Sequence, residues 1–349
     1  MTTLLAILAF QKVKVVSIAT DPNFREVQLA VEDNGHVFAV FGRGDAIYCA
    51  YSTNRGTTFS RPILVANDGR LSLGMRRGPR IAAYGDHITI SAVYGRQGGG
   101  QDGDLVAFRS DDGGITWSMP TRVDDVAGAA REGLHAMAVG PDGTLACAWL
   151  DLRSKGTKLY LSTSKDHGET WSRNRLVYQS PGGSICECCH PSLAYDSSGK
   201  LWVMFRNSLD GNRDMYLTST LGSSYDIPAP IKLGGESWQL DACPMDGGMV
   251  VPDSSGGVDT VWRRKDQVFS CLPKGKEALI GDGRQPWGAW GPSGLYTVWV
   301  GKGGILSLAP KGKPTVLDAK GTDPVIASSP SHRVVIAAWN NDGIRAVRL

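Results

Sequence analysis

The sequence predicts an all-β chain folded as a seven-bladed β-propeller, each blade a four-stranded antiparallel sheet. Three observations predict it. A turn motif recurs at near-regular spacing, a common order of short apolar strands aligns seven times, and a spare strand pattern near the start supplies what the last repeat lacks. Six blades is the alternative count. Glycine, at 44 of 349 residues with few long helical periodicities, favours short strands and turns.

The turn motif is clearest at Ser164-Lys-Asp166-His-Gly168-Glu-Thr170-Trp171. A short carboxylate can bond the backbone of its own turn, glycine accepts positive φ, and the indole covers the start of the returning strand. The pattern recurs as Ser110-Asp-Asp112-Gly-Gly114-Ile-Thr116-Trp117 and more loosely as Ser52-Thr-Asn54-Arg-Gly56-Thr-Thr58-Phe59, 58 and 54 residues apart. A worn fourth copy is expected from Ser219 to Tyr225. These octets resemble the Asp-box, the repeat of sialidases and many other β-propellers. The resemblance implies a fold; as a scaffold hairpin, the motif implies little about activity.

Taken in order, the repeats start at Val27, Pro79, Leu134, Pro191, Pro244, Pro286 and Pro324. The first runs through strands at 27–31, 36–41, 46–51 and 62–65 joined by tight turns, which makes one blade. The second strand of each repeat is strongly apolar: 88–94, 145–150, 201–205, 258–262, 295–300 and 334–339. The seventh repeat has three strands and no fourth. The pattern at 13–19 belongs to no repeat, so it is expected to pair with the last blade and close the ring, removing exposed sheet edges.

Residues 11–349 therefore read as one propeller domain. Residues 1–10 resemble a fragment of a secretory signal, an apolar run without basic residues ahead of it, which implies a secreted or periplasmic protein. No stretch reaches the roughly 20 apolar residues of a membrane span. A net charge of +3 does not imply nucleic acid, and a monomer is expected.

If each blade runs outward from the channel, the blade starts and the hairpins between second and third strands share one face, opposite the Asp-box turns. That face gathers Arg25, Glu26, Arg77, Arg80, Glu132, His135, His190, Arg284, Trp287 and Asp323, with Arg43, Arg96, Arg153, Arg206, Arg213, Arg263 and Arg264 from the hairpins. Guanidinium forks match carboxylates or phosphates, so one reading is an anion pocket for an acidic saccharide or other anionic small ligand. The other is that each arginine stiffens its own hairpin against Asp45, Asp104, Asp151 or Asp214. Arg77, Arg80, Arg206 and Arg284, with His135 and Trp287, are the expected ligand-binding set.

Arg77-Gly-Pro-Arg80-Ile is similar to the first arginine motif of sialidases, with the order of residues changed. Those enzymes use three arginines for the sugar carboxylate, an aspartate as acid/base, and a tyrosine paired with a glutamate as nucleophile. The resemblance implies roles here for Glu132 as carboxylate partner, Asp104 as acid/base and Tyr94 as nucleophile. The well-known sialidases have six blades, a departure that separates this chain from them.

The second constellation is Cys186-Glu-Cys188-Cys189-His190-Pro191, with Cys243-Pro244 one blade later. Its readings are a disulfide clasp, a soft metal (copper or zinc) held by thiolates with His190 or His135, and free catalytic thiols. Cys186-x-x-Cys189-His190 also matches the c-type haem attachment sequence, disfavoured because a five-residue match is easily met by chance. Otherwise no cofactor is expected. Cys49, Cys147 and Cys271 read as small buried residues. Three functions follow: an exo-acting sialidase-like glycoside hydrolase, a propeller that binds acidic glycans or a protein without cutting, and a metal or redox propeller centred on the cysteines.

Overall fold

The second strand of each repeat is apolar on both faces because a neighbouring blade covers each side. In the third blade, Leu145–Asp151 is buried along its whole length, and Val37–Arg43 in the first is buried up to its last residue. The computed structural model describes residues 14–221 and 226–349, and among them it contains strands and turns but no helix.

Seven antiparallel sheets form the blades. Blade I runs Arg25–Val31, Val37–Arg43, Ala46–Ser52 and Ile63–Ala66 from channel to rim, and blade III runs His135–Val139, Leu145–Asp151, Lys158–Ser164 and Arg175–Tyr178. Blade II, built on Arg80–Tyr84, His87–Gly95, Asp104–Ser110 and Thr121–Arg122, carries an additional two-residue strand, Arg70–Leu71. Blades IV, V and VI have innermost strands Ser192–Tyr195, Gly248–Pro252 and Arg284–Gly291. The fifth starts its strand at Gly248, four residues beyond the expected Pro244, after a stretch with no regular structure.

Blade VII has Thr322–Ser328, Val335–Asn340 and Ile344–Arg348, and its outermost strand is Val16–Ala19 from the other end of the chain. Val16 faces Ala346 and Ser17 faces Arg345 in antiparallel register. Each innermost strand contacts the next, and the seventh contacts the first. A central channel cavity of about 160 Å³ is lined from every blade, including Gln28, Arg80, Met137, Ser192, Met249, Trp287 and Ile326. The expected seven-bladed ring and its closing strand are present. Residues 1–10 and the 222–225 portion of the fourth turn motif lie outside the described residues.

The three Asp-boxes form as their chemistry requires. Asp166 Oδ1 accepts from Ser164 Oγ at 2.7 Å and from Thr170 N at 2.9 Å, while Ser164 Oγ accepts from Gly168 N at 2.8 Å. Asp112 repeats this with Ser110, Thr116 and Gly114, and Asn54 with Ser52, Thr58 and Gly56. Each box leans on the preceding blade. Gly168 has φ +93° and lies where a Cβ would sit 3.0 Å from Thr89 of blade II, whose hydroxyl donates to His167 O at 2.8 Å. The motif is thus cement between blades as well as a turn.

Candidate active site

Three blade starts share a backbone irregularity that aims polar side chains at the channel face. The innermost strands of blades I, VI and VII each shift register just after their first residue. At the bulge sit Glu26, Gln285 and Asp323, all in the left-handed region with φ of 58°, 56° and 52°. Such conformations in non-glycine residues are strained and concentrate at functional sites.

Glu26 and Asp323 line one open cleft of about 610 Å³ at the junction of blades VII and I, together with Arg25, Met75, Lys320 and Asn341. Glu26 is 4% exposed, and its Oε1 accepts from Arg76 N at 3.1 Å. Burial first, and then the charge of Asp323, push the Glu26 carboxyl up to about 7, with Arg76 and Arg80 opposing. Asp323 accepts from Gln285 Nε2 at 3.0 Å and Asn340 Nδ2 at 3.3 Å.

Arg76 spans the mouth of the channel. Its guanidinium donates to Gln285 O at 3.2 Å and Pro324 O at 3.3 Å, and its Cζ lies 5.1 Å from the Trp287 ring centroid. A residue from the loop before blade II thereby ties blades VI and VII, with Met75 beside it strained (φ 54°) and 64% exposed over the cleft. Asp246 is buried on the same face, accepts from Gln285 N at 2.7 Å, and has a pKa raised by burial.

The expected ligand-binding residues fall on this face but mostly bind the protein itself. Arg80 donates to Gly78 O and Pro79 O at 3.1 Å and to Arg76 O at 2.7 Å. Arg206 donates to Asp246 O at 3.2 Å, Arg213 O at 2.6 Å and Arg263 O at 2.8 Å, stapling blade IV to blade V. Arg77 pairs with Glu132 at 3.4 Å and keeps a buried, unpartnered Nη1. Arg284 is exposed at the start of its strand.

Burial moves the titration of both histidines down to about 3, so they are neutral: His135 contacts Ser91 Oγ at 3.0 Å through Nε2, and His190 Nδ1 lies 3.2 Å from Pro191 O. Trp287 lines the channel and packs on His190 with ring centroids 5.1 Å apart.

Tyr94 and Asp104 are cross-strand partners in blade II, and each member of the expected catalytic trio is engaged by the protein itself. Tyr94 is 7% exposed in the core between blades I and II, donates its hydroxyl to Asp45 O at 2.9 Å, and has its pKa raised by burial, which removes it as a ready nucleophile. Asp104 pairs with Arg122 at 3.0 Å rather than with Arg96, and also accepts from Gly128 N at 2.7 Å. Glu132 is engaged by Arg77. Among the hairpin pairs expected, Arg153–Asp151 at 2.9 Å forms; Asp45 and Asp214 instead meet Arg70 and Lys232.

All seven cysteines are free, so the expected clasp is not formed. Cys186, Cys188 and Cys189 are buried with their sulfurs facing one another, while Cys243 is exposed and His190 stands outside the cluster. Sequence reasoning placed Glu26 and Asp323 in the ring of blade starts but passed over them as catalytic. Their signal is the polar residue just ahead of an apolar inner strand, which says nothing of burial.

The fold is shared widely. Over 96% of this chain and 68% of its own length, the Hadza microbial sialidase Hz136 superposes with a TM-score of 0.58 at 14% identity. An α-L-arabinanase of Penicillium chrysogenum, complexed with arabinobiose, gives 0.58 at 14% identity over 96% and 97% of the two chains. Virginiamycin B lyase of Staphylococcus aureus gives 0.57 at 12% identity over 97% and 99%. At such identities the likeness is one of fold, and hydrolases and a lyase share it. No curated protein matches in sequence. The sequence does match the BNR repeat-like domain over residues 47–252, well over half its length, and with its repeated Asp-boxes and ring of antiparallel blades the chain belongs to that family.

Proposed function

We propose that this protein is a glycoside hydrolase whose reaction centre is the cleft between blades VII and I, with Glu26 as general acid and Asp323 as its carboxylate partner. The observation that carries the reading is a buried carboxyl with its pKa raised to about 7 beside a second carboxylate, on the wall of an open cleft. Glycoside hydrolysis needs one carboxyl to protonate the leaving oxygen and another to support the oxocarbenium-like centre or activate water. Glu26 has the proton to give near neutrality. Asp323, oriented by Gln285 and Asn340, supplies the negative charge.

The sialidase and arabinanase among the structural relatives support a sugar substrate by analogy of fold. A terminal acidic sugar is the substrate class we favour, with Arg25 and Lys320 at the cleft as the cations that would meet its carboxylate. The decisive experiment is a panel of fluorogenic glycosides that includes a sialoside and an α-L-arabinofuranoside. Glu26→Gln should lower kcat at least roughly 100-fold with the circular dichroism unchanged, and loss of the basic limb near pH 7 in the residual rate should accompany it. A folded wild-type protein that binds saccharides saturably and releases no aglycone from any of them would replace the hydrolase with a binding propeller.

A further inference from the structure

We propose that the loop leading into blade IV is a binding site for one copper(I) ion, held by the thiolates of Cys186, Cys188 and Cys189 with the Met245 thioether beside them. The site is separate from the Glu26 cleft and does not rest on the hydrolase reading.

Three cysteines within four residues converge here without forming a disulfide. Cys186 Sγ lies 3.8 Å from Cys188 Sγ and 3.5 Å from Cys189 Sγ, and all three sulfurs lie within 4.8 Å of one another. Their residues are 0%, 7% and 2% exposed. The loop is held, since Cys186 N donates to Arg206 O at 3.1 Å and Arg206 is itself anchored on three carbonyls. A disulfide would consume two sulfurs and leave the third buried beside it without a role.

The donor set selects the ion. Thiolate and thioether sulfur suit Cu(I), whereas structural zinc takes four nitrogen, sulfur or oxygen ligands in a tetrahedron. Among the described residues no fourth cysteine, histidine or carboxylate completes the group. His190, next in sequence, is turned toward Pro191 O and Trp287, and Cys243 is exposed. What does pack on the trio is Met245, whose left-handed backbone (φ 55°) directs it there from blade V.

Metal binding requires deprotonated thiols, so it would transfer the cysteine protons to water while copper stays Cu(I), and no electron moves.

The test is anaerobic titration of the full-length reduced protein with Cu(I) against bicinchoninate as competing chelator, followed by copper K-edge absorption. We expect one copper per chain in all-sulfur coordination. Cys186→Ser, Cys188→Ser and Cys189→Ser should each weaken binding more than 10-fold with unchanged thermal melts of the apo-protein, Met245→Leu a few-fold, and Cys243→Ser not at all. If a serine variant fails to fold, alkylation of the wild-type thiols should still be blocked by stoichiometric Cu(I). The proposal is overturned by copper that stays with the chelator, by nitrogen or oxygen coordination, by zinc displacing copper at equal concentration, or by a Cys186–Cys189 disulfide in protein purified without reductant.

Discussion

Glu26 is where burial and charge have the most measurable consequence. Its carboxyl titrates near 7 in the folded chain and near 4.5 in the unfolded one. Between those values the folded state keeps a proton that the unfolded state has released, so this group's contribution falls as pH rises and its full cost is present above about 7. At 1.36 kcal/mol per pH unit, relief of that cost by Glu26→Gln should stabilise the protein by about 1–3 kcal/mol at pH 8 and by almost nothing at pH 4. An amide oxygen still accepts from Arg76 N. Urea unfolding at the two pH values measures it, and an equal effect at both would refute the assignment. His135 and His190 act the other way: depressed to about 3, they cost stability as pH falls from 6.5 toward 3. Arg206 and Arg284 separate structure from surface on the same face. Arg206→Ala strands three carbonyls of blades IV and V and should cost roughly 3 kcal/mol or more, whereas Arg284→Ala should stay within about 0.5 kcal/mol.

At the scale of the element, the Asp-box is the unit to perturb. Asp166 satisfies Ser164 and the backbone and hydroxyl of Thr170, so Asp166→Ala should cost about 1–2 kcal/mol. Gly168→Ala should cost more, since its φ of +93° disfavours any side chain and the added methyl meets Thr89 of the neighbouring blade. Denaturant midpoints of the two variants check both the size and the order. If Gly168→Ala were the milder change, the inter-blade role of the turn would be wrong. Two buried tryptophans near the ends of second strands share a further device: the Trp149 indole donates to Asp151 at 2.8 Å and that of Trp339 to Asp318 at 2.6 Å, which seats a large apolar ring with its donor met, whereas the Trp262 indole of blade V has no such partner.

For the whole molecule the decisive contact is between the two ends of the chain. Val16–Ala19 covers the edge of Ile344–Arg348, and Ile18 and Ala19 enter the core shared with Ile344 and Ala346. Removing residues 1–19 should open that edge and loosen blade VII, seen as a lower, broader thermal transition and as self-association in size-exclusion chromatography. An unchanged melting profile would mean the ring does not depend on its closing strand.

Much of this architecture could be read from local patterns. Ser164 to Trp171 announces its turn, the apolar run at 145–150 announces a strand covered on both sides, and the spare pattern at 13–19 announces closure, because hydrogen-bonding turns and strand periodicity are written in neighbouring residues. The candidate site could be read only in part. Arg80 and Arg206 look like ligands in sequence and prove to be staples, and Glu26 and Asp323 look like ordinary polar residues ahead of a strand. Whether a guanidinium meets a backbone carbonyl or an open cleft, and whether a carboxyl keeps its proton, depends on groups from blades hundreds of residues apart. Burial and field are properties of the closed ring, and so the sequence alone determined the propeller while the tertiary structure decided where its chemistry can be.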